Sequence, residues 1–512
     1  MGSPSDHAAS LNAARADKSF FGHPRGLATL FFTEMWERFS YYGMRAILIL
    51  FMTAAVTQGG LGFPTAKAGL IYATYTSMVY LMAVPGGWIA DKFLGLRKAV
   101  LFGGIIIMAG HICLAIPATP TFYLGLAFVV VGTGLLKPNI SATVGGLYGP
   151  EDARRDSGFS IYYMGINLGA FISPLVVGWL AQSDRFKATL GGMGIAPENS
   201  WHFGFGMAAI GMFLGLMGYV RGWKHLGEVG MRPNAPESPE AARRDRRKLR
   251  WGIGSVIALL ALVTILAGQG LITVTPEKVG RIFGYVLSFT PLVLFPYLYF
   301  FCGFSRHERK QLIVIMVLFF GSAVFWSLLE QAGSTLNLFA ERNTDTSSIP
   351  SSFFQSVGPL SIVLLAPVIA ALWTWLGKRQ PSSPAKFALG LLFATLGFAV
   401  LIIAARLSAQ GVKVSPLWLL ATYLLHTLGE LCLSPVGLSA MTKLAPQRIV
   451  GFVLGIWFLA TSLGNFMAGF ASSMYESMPL NNLFILITGI ALVATLLMAA
   501  SIRPIRRMLE RD

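Results

Sequence analysis

The chain has 512 residues, of which 54% are hydrophobic and only 12% charged; with a mean hydropathy of +0.63, that is too little charge to coat a water-soluble surface of this length. Its 40 basic and 23 acidic residues leave a formal charge of +17. The basic residues fall in short loops between apolar runs, which argues against a nucleic-acid-binding patch and for a topology signal in a polytopic membrane protein.

Residues 1–25 are polar and lack the short apolar core of a signal peptide, so they read as a tail before a retained first span. The stretch from Thr29 to Phe51 is long enough to cross a bilayer as a helix, yet it holds Glu34, Glu37, Arg38 and Arg45. Ionised groups at membrane depth are costly and usually face a bundle interior or a water-filled cavity, so this span points to a path for charged cargo or protons. On a helix Glu34 lies one turn from Glu37 and Arg38, and Arg38 one turn from Tyr41 and Tyr42, which makes one polar stripe.

Apolar runs of membrane-spanning length lie further along, near 66–91, 98–117, 121–147, 157–182, 201–221, 251–271, 281–302, 311–340, 352–376, 386–408, 416–444, 450–474 and 481–502. With the first, near 27–57, they predict an all-α integral membrane protein of about fourteen spans. Alternate loops carry the Lys and Arg residues, which places them and both termini in the cytoplasm. The expected division is a tail at 1–25, a six-helix bundle at 26–221, a basic linker at 222–250, an inserted helix pair at 251–310, a second six-helix bundle at 311–506 and a tail at 507–512. Cys113, Cys302 and Cys432 each sit in an apolar run without metal-ligand spacing, so no metal or other cofactor is expected.

Two six-span halves are the plan of major facilitator transporters. The segment Gly86-Gly87-Trp88-Ile89-Ala90-Asp91-Lys92 resembles that superfamily's loop signature, although its basic pair, Arg97 and Lys98, stands further from the aspartate than usual. A narrower resemblance rests on four segments. Glu34-x-x-Glu37-Arg38-Phe39-Ser40-Tyr41-Tyr42-Gly43 is similar to the ExxERFxYYG signature of proton-dependent oligopeptide transporters. Phe159 to Phe171 with Asn167, Gly132 to Asn139 with Lys137, and Gly429 to Pro435 with Glu430 and Ser434 look like three further segments of that family. The inserted helix pair resembles its bacterial members.

That resemblance implies a proton-coupled importer of di- and tripeptides, working by alternating access among membrane lipids and functioning as a monomer. A peptide offers an ammonium at one end and a carboxylate at the other, so opposite charges at opposite ends of a cavity would read it. Lys137 and Arg38, assisted by Tyr42, are the candidates for the carboxylate; Glu430 and Asn167 for the ammonium. Tyr41, Tyr80, Trp326, Trp457, Phe458 and Ser434 are expected around the side chains. For coupling and gating the resemblance implies that Glu34 and Glu37 exchange partners with Lys137, and that Glu330 pairs with Arg45 across the halves. One departure stands out: the family's Asn before Pro359 is Gly358 here, leaving the ammonium to Asn167 and Glu430.

Static roles compete with each of these. Ion pairs inside membranes also hold helices together, and with 11 Trp and 37 Phe any one aromatic is more often packing than pocket wall. Asn139, beside Pro138, fits a backbone partner as well as a ligand. His111, His202 and His426 have no second ligand at helical spacing and read as packing or surface residues. A transporter of nitrate or another small anion would use the same scaffold. A channel lacks a filter segment, and an enzyme lacks a nucleophile with its base or a metal cluster.

Overall fold

The computed structural model describes residues 15–149, 151–236, 238–446 and 449–509. Among them are fourteen helices of membrane-spanning length, joined by short loops: α1 Arg25–Thr53, α2 Thr65–Leu94, α3 Leu96–Leu114, α4 Thr119–Gly146, α5 Arg155–Gln182, α6 Ser200–Gly222, α7 Pro239–Gly268, α8 Pro276–Phe301, α9 Arg306–Asn343, α10 Val357–Leu376, α11 Ser383–Ser408, α12 Leu417–Leu444, α13 Val450–Ser473 and α14 Leu480–Leu509. No strand occurs among the described residues, only two isolated bridges. This is what a bilayer permits, since every backbone polar group at that depth has to be bonded within its own helix.

The sequence boundaries agree to within about five residues except at the end of α14, which runs to Leu509 and takes in the start of the expected 507–512 tail, and at α7. Its helix begins at Pro239, so the last twelve residues of the expected 222–250 linker belong to the first inserted helix. Ser238 accepts from the Ala241 N–H as N-cap and Pro239 occupies the first turn, a start signal that the dense arginines obscure. The preceding stretch is held by Arg97, which is buried and donates to the carbonyls of Trp223 and Gly227, both at 2.6 Å. In the superfamily-like loop it is therefore Arg97, rather than the exposed Asp91, that closes on a helix end. A second clasp lies at the α4–α5 turn. Arg154 pairs with Asp152 at 2.8 Å and donates to the carbonyls of Arg15 and Gly22, and its hydrogen bonds pull the Asp152 carboxyl down to about 2.

Packing repeats between the halves. Gly103 of α3 and Gly132 of α4 face each other so closely that a Cβ on either would stand 2.7 or 2.6 Å from the other's carbonyl oxygen. Gly390 of α11 and Gly429 of α12 do the same, at 2.9 and 2.7 Å. Without a hydrophobic driving force between helices in lipid, such small-residue contacts are how backbones approach. Their recurrence in the third and fourth helices of each bundle gives a packing parallel between them. Within α4, Pro138 leaves the Gly134 carbonyl without its helical donor, and Gly86 of α2 packs against that carbonyl. Asn139 then donates to Leu135 O at 2.6 Å and Gly86 O at 3.4 Å. Asn139 is thus a backbone partner that binds α2 to α4.

The apolar core is one main cluster running through both bundles, with a second around Leu27, Leu136, Met212 and Tyr219 in the first and a small third of Leu298, Phe304 and Leu312 where α8 meets α9. α7 stands outside it, with Asp245 its one buried residue among those described, whereas α8 packs Leu287 and Phe295 into the main cluster.

Candidate functional site

Between the bundles lies a cavity of about 560 Å³. Three carboxyls, Glu34, Glu330 and Glu430, and three cationic groups, Arg38, Arg45 and Lys137, line it together with Tyr42, Tyr80, Asn167, Trp326 and Ser434. α1 supplies Glu34, Arg38, Tyr42 and Arg45 because residues three and four apart share a helix face. Lys137 enters from α4 beside its proline, Asn167 from α5, Glu330 from α9 and Glu430 from α12.

The charges fall into three groups. Arg38 Nε lies 2.7 Å from Glu34 Oε1 and 3.0 Å from Glu37 Oε2, all three residues being at most 4% exposed. Arg45 reaches across the halves to Glu330 at 2.7 Å and donates to the Tyr72 hydroxyl at 2.9 Å. That pair sits where α9 breaks into a single tight turn, Glu330–Gly333, and Gly333 allows the close approach: a Cβ there would stand 2.6 Å from Arg45 Nε and against the Tyr72 hydroxyl. The third group is unpaired. Among the described residues Lys137 has no carboxylate within ion-pair distance and rests 3.7 Å over the Tyr80 ring, while Glu430 accepts only from Tyr163, at 3.4 Å.

The expected exchange partners are therefore in one arrangement here: both Glu34 and Glu37 face Arg38 and neither is bound to Lys137. Sequence proximity explains it, since Arg38 is one turn from Glu34 and adjacent to Glu37. Glu37, Tyr41, Trp457 and Phe458 do not line the cavity. Glu37 and Tyr41 are fully enclosed, Tyr41 packing edge-on to Tyr42 at 5.3 Å, and Trp457 packs on Gly437 of α12. Several lining residues lie outside the four segments, Ser141, Gln355, Tyr423, His426 and Thr427, and Tyr163 lies within the one that holds Asn167 without having been expected on the wall. Trp326 Nε1, Tyr423 OH and Ser434 Oγ are buried without a hydrogen-bond partner among the described residues. His426, expected as packing, does both jobs: it packs on Gly397 and Phe398 and lines the cavity. Gly358 has open space around it, so no side chain fills the position of the family's asparagine.

The bonds that tie the bundles together run from the midplane toward the side away from the termini. Ser77 and Ser462 donate to each other's carbonyls at 2.5 and 2.9 Å, Asn337 donates to Ala46 O at 2.8 Å and Ser356 to Phe171 O at 2.7 Å. At the far end Gln182 donates to Ser351 and Glu341, and Thr65 to Glu476. A larger, polar vestibule of about 970 Å³ lies beyond this seal, lined by Asp184, Arg185, Glu198, Glu341 and Arg342 among others.

The sequence profile described as the POT family matches residues 97–242 and 304–487. The chain belongs to the POT family. It is 43% identical over 513 residues to the peptide transporter YePEPT of Yersinia enterocolitica, covering 96% of each, and 36% identical over 518 residues to a di-/tripeptide transporter of Lactococcus lactis, covering 97% of this chain and 99% of the relative. A crystal structure of a peptide transporter POT mutant in complex with alafosfalin superposes on this POT-family chain with a TM-score of 0.87 at 41% identity, covering 99% of both. The all-helical major facilitator architecture expected from the sequence is the one this family has.

Proposed function

We propose that the chain is a proton-coupled symporter that imports di- and tripeptides across the cytoplasmic membrane, with both termini and residues 222–250 in the cytoplasm. The observation that carries the reading is the unpaired third group: among the described residues of the cavity, one free cation, Lys137, and one free carboxyl, Glu430, stand on its walls. A peptide's carboxylate and ammonium match that pair, and the remaining four charges already satisfy one another. The names of the relatives support the same cargo. Arg38 and Tyr42 stand beside the carboxylate end, Asn167 beside the ammonium end, and Tyr80, Trp326 and Ser434 around the side chains. Broad aromatic faces with few fixed polar groups favour tolerance of side-chain identity.

The seal lies on the far side of the cavity, which supports a cytoplasm-facing conformation. Glu34, Glu37, Arg38 and Lys137 are proposed to carry the coupling, and Arg45 with Glu330 the outer gate. Uptake into liposomes tests this reading. Labelled dialanine should accumulate only under an inwardly directed proton gradient, and esterifying or acylating its ends should weaken competition more than changing its side chains. Uptake of nitrate that no peptide inhibits would replace the peptide reading with the small-anion one, and equal competition by a doubly blocked peptide would remove Lys137 and Glu430 as readers of the ends.

A further inference from the structure

We propose that residues 243–250, in the first turns of α7, form a binding face for anionic phospholipid headgroups. Arg243, Arg244, Arg246, Arg247, Lys248 and Arg250 are six cations in eight residues, and none of the six is buried. At about 100° per residue they sweep roughly 200° of the helix circumference. Asp245, the acid among them, falls opposite the middle of that arc; it is 9% exposed and turned onto Lys92, 3.9 Å away. Over residues 243–250 the helix is thus docked by its one acidic residue and turns a cationic face outward, with the exposed Glu240 of the first turn the acid on that same side. Among the described residues no carboxylate lies within ion-pair distance of the six.

The remainder of the helix identifies the partner. Trp251, 67% exposed, opens an apolar stretch to Gly268 that is about 27 Å long, close to the ~30 Å of a hydrocarbon core. Its spanning window has no buried residue, so α7 meets lipid along its length rather than protein. An exposed Trp at the end of such a stretch marks the interface. The six cations then stand within roughly 12 Å of the apolar edge, in or just beyond the headgroup layer and about one Debye length deep. A topology signal requires positive charge in this segment but not its segregation from the acid to one face. That segregation, continuous with a lipid-facing helix, fits headgroup phosphates arranged around α7.

The full-length protein, stripped of copurified lipid and offered equal amounts of phosphatidylglycerol and phosphatidylcholine, should retain the former in native mass spectra by about fivefold or more, the factor one cation near an anionic surface supplies. Replacing all six cations by Gln should bring the two lipids level, whereas Arg→Lys at the five arginines should keep the preference. If the sixfold change prevents insertion, Arg243→Gln with Arg244→Gln, and separately Arg246→Gln with Arg247→Gln, should each lower it stepwise. Equal retention of both lipids by the unaltered protein, or an undiminished preference in the Gln variants, overturns the proposal. So does protection of residues 243–250 from hydrogen exchange by inorganic phosphate as strong as that by phosphatidylglycerol nanodiscs, which would assign the face to a soluble anion. The readout is lipid retention, so it stands or falls apart from peptide transport.

Discussion

Arg38 holds two carboxyls and Lys137 holds none, and that asymmetry sets what a single substitution should do. A buried carboxyl that shares its cation with a neighbour is poised to change partner when either one gains a proton. Glu37→Gln keeps shape and hydrogen bonding but fixes the neutral state. Exchange of labelled for unlabelled dialanine across proteoliposome membranes should survive, because rocking with peptide bound requires no net proton movement, while gradient-driven accumulation should be lost. If both activities vanish, Glu37 is a structural partner of Arg38; if accumulation persists, coupling belongs to Glu34 or Glu330. Most of this site was legible in the chain because intramembrane charge is conspicuous: Glu34, Arg38, Arg45, Lys137, Glu330 and Glu430 all line one cavity. The aromatics were not. Trp457 and Phe458 were expected on the wall and stand off it, whereas Tyr163 and Tyr423 line it, since in a chain with 15 Tyr and 37 Phe the face an aromatic occupies is decided by helix rotation and no local signal records it.

At the scale of the helix, the glycine contacts explain why the two bundles pack alike. Gly132→Leu places a branched side chain where the Gly103 carbonyl and the Ile107 side chain already stand, within 2.7 Å of a first carbon alone. Backbone has to move, and overpacking of a well-packed interface typically costs about 1–3 kcal/mol. The variant should melt several degrees lower in detergent. Gly218→Leu, on an open face with nothing within 4 Å of its Cβ, should melt as the unaltered protein does. Equal melting of both would show that the α3–α4 approach is not what these glycines supply. Helix order and length were readable from hydropathy because a bilayer leaves few alternatives. The start of α7 was not, as the cluster of arginines and lysines masks a Ser–Pro cap, and hydropathy marks where a helix enters lipid rather than where it begins.

At the scale of the whole molecule, the basic loops and the seal make separate claims. Topology predicts that a cysteine introduced at Asn234 reacts with impermeant reagent added on the cytoplasmic side and one at Asn343 with reagent on the opposite side, and same-side labelling would refute the topology. The seal concerns the balance between conformations. Arg45–Glu330 is its buried ion pair, reinforced by Tyr72 and closed over by Gly333, while the Ser77–Ser462 and Asn337–Ala46 contacts are neutral hydrogen bonds. Losing one partner of a buried pair costs roughly 3–5 kcal/mol, and the isosteric Glu330→Gln retains part of the hydrogen bonding, so a smaller loss is expected. Even about 1.4 kcal/mol moves a two-state equilibrium tenfold. Spin labels at Thr57 and Ser348, which flank the outer vestibule from opposite halves, should therefore gain a longer-distance population in Glu330→Gln, and Gly333→Ala, which crowds Arg45 without removing charge, should move the same way by less. An unchanged distance distribution in both variants would mean that the hydrogen-bonded seam alone holds the outer side shut, leaving Arg45 and Glu330 to the cargo.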